Sequence, residues 1–338
     1  MNISKYRTGI VGCGNIGSEF DKVSGRKPIY THAGAYFYHR KFKLVAAADI
    51  SKEKLNRFAT KWNVKNVYED FTEMLDHESL DIVSVCTWKE SHYEIVKKAI
   101  EKGVKMIFCE KPFTGELNKA KRLLDLSNKK NILLAVNYTR RYTECHQKVK
   151  ELISQGKLGE MQTIICFYTK GFINNGSHVI NLLTFFFGEV EWVSSLSSVG
   201  RFDEKEDYDL DIILHFPEEL SVYIFSCDAK YYSLFEIDIL GSLGRLKIID
   251  SGYDIKWYQI NNSPVFEGYS ELEKKGTIIK SDMENAMINA IDNIIESFEN
   301  KTDLICSGQD GLETIKIVDL AIKSAKDNGK KKYYNKRN

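Results

Sequence analysis

The sequence lacks the features that would place it in a membrane, outside the cell or on a polyanion. It has no long hydrophobic run. The longest, near Leu182 to Phe187, is far shorter than the roughly 20 apolar residues of a bilayer span. Its seven cysteines, at 13, 86, 109, 145, 166, 227 and 306, form no C-x-x-C pair. Several stand inside apolar runs, which reads as buried thiols in a reducing compartment and excludes a disulfide frame or a zinc site. No charge of one sign dominates: 48 Lys and Arg against 47 Asp and Glu leave a formal net charge of +1. No overall field therefore draws nucleic acid or an anionic membrane to it. Proline is scarce, with four residues, and no low-complexity linker or internal repeat stands out. The N-terminus runs through a polar stretch into a strand, without a secretory leader. These absences set the expectation of a cytoplasmic protein with no metal and no nucleic-acid or membrane partner.

What is present is an ordinary globular composition, 43% hydrophobic and 28% charged over 338 residues, a length that suits two domains. The chain is organised around Thr8-Gly9-Ile10-Val11-Gly12-Cys13-Gly14-Asn15-Ile16-Gly17. An apolar run stops at a turn reading G-x-G-x-x-G. Gly12 suits a sharp exit from a strand, Gly14 leaves room for a pyrophosphate against the backbone, and Gly17 lets the next helix pack closely. The expected helix would offer free N–H groups and a partial positive charge to the phosphates. Gly12, Gly14, Asn15, Ile16 and Gly17 are thus candidate dinucleotide contacts.

Strands then alternate with helices. Phe42 to Asp49 reads as a buried strand ending in an acid. At that position Asp49 would accept hydrogen bonds from the adenosine ribose and repel a 2′-phosphate, favouring NAD over NADP; the alternative is an ordinary surface carboxylate. Lys52 and Lys54 follow closely and soften the preference. The Ser24 to Gly34 stretch lengthens the first crossover. Ser51 caps a helix to Trp62, Leu80 to Cys86 is a strand, Ser91 starts a helix to Lys102, and Val104 to Cys109 and Ile132 to Val136 are further strands. This alternation implies a doubly wound parallel sheet, with ligands at the carboxyl ends of its strands. Attention therefore falls on Gly12–Gly17, Asp49, Thr87–His92 and Glu110–Phe113. A lysine in that crevice, Lys111, can bind a substrate oxygen or, when desolvated, exchange its proton. Pro112 fixes the backbone beside it. A solvated loop lysine is the alternative.

The second half is dominated by strand patterns, among them 162–169, 190–198, 208–216, 221–227, 233–240 and 245–250. The exception is an apolar helix, Ser177 to Phe187, whose His178, Asn181 and Thr184 form one polar stripe. His178 is a candidate ligand contact, though a lone histidine on an apolar helix is more often a hydrogen-bonded core residue. The aromatics Tyr208, Tyr223, Phe225, Tyr231, Tyr232 and Phe235 read better as sheet packing or a subunit interface than as a sugar-stacking wall. Helices over 283–298 and 311–325 return to the nucleotide domain.

Several segments carry a further likeness. They are Gly12-Cys13-Gly14-Asn15-Ile16-Gly17, Ala47-Ala48-Asp49, Cys109-Glu110-Lys111-Pro112, Asn137-Tyr138-Thr139-Arg140-Arg141-Tyr142, Gly176-Ser177-His178 and Gly241-Ser242-Leu243-Gly244. Together they resemble the glucose–fructose oxidoreductase/inositol dehydrogenase (Gfo/Idh/MocA) family. The resemblance implies a Rossmann domain, 1–136, followed by an open, mostly antiparallel sheet domain, 137–338, with a homodimer or homotetramer built on the sheets. It implies NAD and hydride transfer at a hydroxyl carbon of a sugar, sugar phosphate, nucleotide sugar or cyclitol. Lys111 and His178 would be catalytic. Thr87, His92, Glu110, Lys111 and Asn137 would line the nicotinamide end, and Arg140, Asn174 and Asn181 would contact substrate with Lys111 and His178. The family's usual carboxylate before the histidine is Asn174 here, which can hydrogen-bond but cannot take a proton. Two other readings differ in class: a glycosidase using NAD for oxidation and elimination, and a non-catalytic NAD- or sugar-binding protein. The segments 174–178 and 30–35 are similar to members encoded with bacterial surface-polysaccharide genes, which tilts the expectation towards an amino-sugar or nucleotide-sugar substrate.

Overall fold

The structure is a computed structural model and describes residues 5–21, 28–196 and 207–335. The chain divides into two compact units: Met1–Tyr142 with Glu284–Glu313, and Thr143–Met283 with Thr314–Asn338.

Unit 1 contains β1 (Tyr6–Val11), α1 (His32–Tyr38), β2 (Phe42–Ala48), α2 (Lys52–Trp62), β3 (Asn66–Tyr68), α3 (Phe71–His77), β4 (Ile82–Val85), α4 (Lys89–Glu101), β5 (Met106–Cys109), α5 (Leu117–Lys129) and β6 (Leu133–Val136). Its six strands lie in the order β3-β2-β1-β4-β5-β6, and all pair in parallel. This is the doubly wound order expected, reversing between β1 and β4. Helices cover both faces of such a sheet, so its central strands read as unbroken apolar runs; every residue of β4 and β5 is buried. The α2 helix shows how local sequence sets an element. Ser51 Oγ accepts from Lys54 N at 3.4 Å, Asn63 ends the helix in the left-handed region, and Leu55, Phe58 and Trp62 are its buried positions.

Two expectations are corrected. The glycine turn does not open a long helix. Asn15–Glu19 forms one wide turn in which the N–H groups of Ser18 and Glu19 both donate to Gly14 O, at 2.8 and 3.1 Å. Just after it, the Asp21 carboxylate accepts from Tyr30 N at 2.7 Å and Thr31 Oγ1 at 2.5 Å. So few aligned peptides sum to little dipole. The helix after β4 begins at Lys89 rather than Ser91, because the Ser91 hydroxyl turns back to Thr87 Oγ1 at 2.8 Å. The start of the lengthened crossover, at Ser24, lies outside the described residues.

Unit 2 contains α6 (Glu144–Ser154), β7 (Met161–Tyr168), α7 (Ser177–Phe187), β8 (Trp192–Ser195), β9 (Ile212–His215), β10 (Ser221–Ser226), β11 (Phe235–Gly241), β12 (Gly244–Ile249), β13 (Asp254–Asn262), β14 (Ser270–Leu272) and β15 (Thr277–Ile279). After them, α8 (Ala286–Asn300) belongs to unit 1, α9 (Gly308–Lys326) enters unit 2 at Thr314, and β16 (Lys332–Tyr333) ends the chain's strands. The second sheet runs β14-β13-β12-β11-β7-β10-β9-β8-β16, with β15 beside β13. It is antiparallel except where β7 meets β10. Alternation explains the core: Ile164, Cys166 and Tyr168 of β7 are buried, as are Ile237 and Ile239 of β11, and they pack with Val179, Ile180 and Leu183 of α7. The far end of the strand expected over 190–198 lies outside the described residues. All seven cysteines are free thiols, six of them buried.

Candidate active site

The carboxyl ends of five parallel strands in unit 1 gather the residues singled out above. β1 ends at the glycine turn, β2 before Asp49, β4 before Cys86-Thr87, β5 before Glu110-Lys111 and β6 before Asn137. A cavity of about 560 Å³ opens at the ends of β1, β2 and β4, lined by Gly12, Gly14, Asn15, Asp49, Lys54 and Thr87 among others, a size that suits a bound cofactor; Glu110, Lys111 and Asn137 are not among its lining residues. Each glycine has its own reason. Gly12 has φ +98°, and a Cβ on it would lie 2.6 Å from Cys86 O. A Cβ on Gly17 would lie 2.1 Å from Gly12 O. Gly14 is different: its only neighbour is Lys54 Nζ at 3.8 Å, so a side chain there would project into open cavity.

The Asp49 carboxylate ties the second strand to the turn, accepting from Cys13 N at 2.8 Å and Ser51 N at 2.9 Å. Two oxygens offer about four acceptor sites, so capacity remains for a ligand hydroxyl. Lys54 lines the cavity, whereas Lys52 pairs with Glu69 at 3.1 Å. Trp88, where the family often has proline, is 86% exposed at the cavity wall.

Glu110 is the polar centre of the next group. Its Oε1 accepts from Asn137 Nδ2 at 2.6 Å and stands 2.9 Å from His32 Nε2; its Oε2 accepts from Lys111 N at 3.3 Å. Burial pushes its carboxyl up, but the hydrogen bond and charge of His32, the Asn137 amide and the Lys111 charge outweigh it and hold the group below its ordinary value. Asn137 is 2% exposed and its Oδ1 has no hydrogen-bond partner. The Lys111-Pro112 peptide bond is cis. Burial, reinforced by Asp49 beside Cys13 and Glu110 beside Cys86 and Cys109, pushes all three nearby thiols up, so they stay neutral and are not nucleophiles.

His92 is fully buried and, like Glu110 and Lys111, is not among the cavity's lining residues; its Nδ1 is 3.0 Å from Pro112 O and its Nε2 is 3.0 Å from Thr87 O. It stands between two loops that carry candidate residues. Arg140 lies half-buried on the turn Thr139–Tyr142, next to Arg141, which pairs with Asp310 at 2.5 Å.

In unit 2, Phe172–Gly176 forms a wide turn that leads into α7. Asn174 is exposed on it and His178 is half-buried one turn later. Asn181 is 1% exposed, and its Nδ2 donates to Thr314 Oγ1 at 2.9 Å, so its amide joins α7 to α9. The sequence reading missed Asp207. Its Oδ1 accepts from Ile173 N at 2.7 Å and its Oδ2 from Asn174 N at 3.1 Å, anchoring the turn. It also missed His32, whose only signal was the phrase Thr31-His32-Ala33-Gly34-Ala35 beside a strand end.

Comparisons with known proteins show the family and the fold. Residues 6–138 match the GFO_IDH_MocA family model, described as an oxidoreductase family with an NAD-binding Rossmann fold. Residues 171–333 match the model of that family's C-terminal alpha/beta domain. Among curated proteins, a myo-inositol 2-dehydrogenase of Thermotoga maritima is 28% identical over 154 residues, 46% of this chain and 42% of the relative. A D-glucoside 3-dehydrogenase of Escherichia coli is 30% identical over 161 residues, 48% of this chain and 42% of the relative. The chain thus spans less than half the length of each of these two relatives. In fold it resembles the WlbA dehydrogenase of Bordetella pertussis, solved with NADH and UDP-GlcNAcA, with a TM-score of 0.80 at 20% identity over 98% of this chain and 99% of that one.

Proposed function

The chain belongs to the Gfo/Idh/MocA family of oxidoreductases, and from that premise we propose that it is an NAD-dependent dehydrogenase acting on a hydroxyl carbon of a sugar-like substrate. A nucleotide sugar or amino sugar is the favoured class, with sugar phosphates and cyclitols behind it. The observation that carries this reading is the meeting of the glycine turn, Asp49, Thr87, Glu110-Lys111 and Asn137 on five strand ends of one sheet.

The residues present fit NAD. Open space over Gly14 admits a pyrophosphate, Asp49 has acceptor capacity for ribose hydroxyls, and the buried, unpartnered Asn137 Oδ1 suits a carboxamide N–H. Bound NAD supplies the two-electron chemistry. Lys111 exchanges the proton of the substrate oxygen: neutral, it takes the proton during oxidation; charged, it returns it during reduction. Glu110 fixes the Lys111 main chain through Oε2. His178 polarises the substrate oxygen or shares its proton, the part the family resemblance implies. Asn174 orients the substrate by hydrogen bonding and takes no proton. Asp49 would repel a 2′-phosphate, favouring NAD over NADP.

The test is a panel of nucleotide sugars, amino sugars, free sugars and inositols incubated with NAD, read by NADH absorbance and by calorimetry. NADH formation on a sugar-like panel member supports the proposal. Heat with NAD and no turnover on any member would make the chain a binding protein, and cleavage of a glycoside with no net NADH would make it an oxidation–elimination glycosidase.

A further inference from the structure

Glu110 is held by a chain of buried polar groups that the reaction itself does not explain. His32 is the first residue of α1 and is fully buried; so are Ser84 on β4 and Tyr36, one turn along α1. His32 Nε2 lies 2.9 Å from Glu110 Oε1, His32 Nδ1 lies 2.9 Å from Ser84 Oγ, and Ser84 Oγ lies 2.9 Å from Tyr36 OH. The Phe108 ring packs on the imidazole, centroids 4.6 Å apart. An ionised carboxylate only accepts, so Nε2 carries the hydrogen and donates to Glu110. The Ser84 hydroxyl, which can donate or accept, partners both Nδ1 and the Tyr36 hydroxyl and so holds the far side of the ring.

We propose that His32 is a positioning residue for the reaction, acting through Glu110 to fix the main chain of Lys111. The proposal rests on the oxidoreductase reading above. The carboxylate takes hydrogen bonds from His32, Asn137 and Lys111 N, so three segments converge on the residue next to the lysine. On the other flank His92 braces Pro112 O. A buried imidazole is thus set on each side of Lys111. For stability alone this is a poor choice: apolar side chains of similar volume often replace buried charged networks at no loss of stability. Precise placement of a proton-exchanging group is a different matter, since a misplacement of about 1 Å can cost about 100-fold in rate.

The test compares His32→Asn with His32→Gln. The Gln amide nitrogen can stand where Nε2 stands and still donate to Glu110; the Asn amide is too short to do so. Three readouts are taken: turnover on the panel substrate, NAD affinity by calorimetry, and amide exchange across residues 110–112. The expected result for His32→Asn is a kcat lower by about 10- to 100-fold, with KM and NAD affinity within about threefold, and Lys111 amide exchange faster by about tenfold or more. His32→Gln returns all three to within about threefold of the native protein. If the two variants behave alike, or if turnover falls while the Lys111 amide stays protected, the proposal is overturned. Should His32→Asn fail to fold, Ser84→Ala removes the hydroxyl that holds Nδ1 and gives the same pattern at about three- to tenfold; an unchanged Lys111 amide there overturns the proposal equally. A native protein that turns over no panel member defeats the oxidoreductase reading, and the exchange measurement still decides whether His32 positions Lys111.

Discussion

Glu110 in unit 1 and the turn before α7 in unit 2 are held by different means. In unit 1, side chain holds side chain: Glu110, just after β5, is gripped by His32 at the start of α1 and by Asn137 just after β6. In unit 2, one side chain holds backbone: Asp207 takes the N–H groups of Ile173 and Asn174 and so shapes the turn before α7. The first arrangement makes a rigid platform whose position follows from the sheet. The second makes a turn whose shape depends on one carboxylate 33 residues away in sequence. Chemistry that needs a fixed proton-exchanging group belongs on the platform, and contacts that adapt to a substrate suit the turn.

Three changes would break or sharpen this contrast. The largest effect is expected at Lys111. Lys111→Met should lower kcat/KM by about 100- to 10,000-fold and leave NAD affinity within about threefold; steady-state kinetics and calorimetry decide it, and unchanged turnover would remove unit 1 from the chemistry. Next comes Asp207→Ala, which leaves the N–H groups of Ile173 and Asn174 without their charged acceptor. It should lower the free energy of unfolding by about 2–3 kcal/mol with NAD affinity unchanged, measured by denaturant titration and calorimetry. A native denaturation midpoint would mean that the turn holds itself. The smallest effect is the acid limb of Glu110. Its carboxyl is held below the ordinary value of 4.5, so the unfolded chain binds the proton first. The stabilisation is complete above about pH 4.5 and is lost as pH falls through the lower folded value. Glu110→Gln should flatten that limb of the unfolding curve by about 1 kcal/mol, and a parallel curve would show that the carboxylate is no better solvated in the fold than outside it.

How far the sequence could be read follows the same contrast. The parallel sheet was legible because its buried strands are short apolar runs separated by helical patterns, and because Gly12, Asp49, Thr87 and Glu110 each follow such a run. Asn63 and Gly103 take up left-handed backbone just after α2 and α4. What failed to show was long-range side-chain geometry. Nothing in the string relates Asp21 to Tyr30 and Thr31, and the wide turn at Asn15–Glu19 read as the start of a helix. His32 lies 78 positions from Glu110 and Ser84 lies 52 from His32, separations at which no periodicity speaks. His92 carried the residue type of a ligand contact, and its burial between two carbonyls could not be read from the string. In unit 2 the outer strand β13 escaped notice because its second half is exposed and shows no alternation.

The one parallel pairing in the second sheet has a topological consequence. β10 runs with β7 and against β9, and β9 runs against β8, so β7 and β8 point the same way. A hairpin cannot join two such strands; the chain must leave the sheet, travel back over its face and re-enter three places further on. That return journey is α7, and the gap it leaves is filled later by β10 and β9. His178 therefore rides on a strand–helix–strand excursion of the kind from which the first unit's sheet is built, and a meander of simple hairpins would have offered it no helix to stand on.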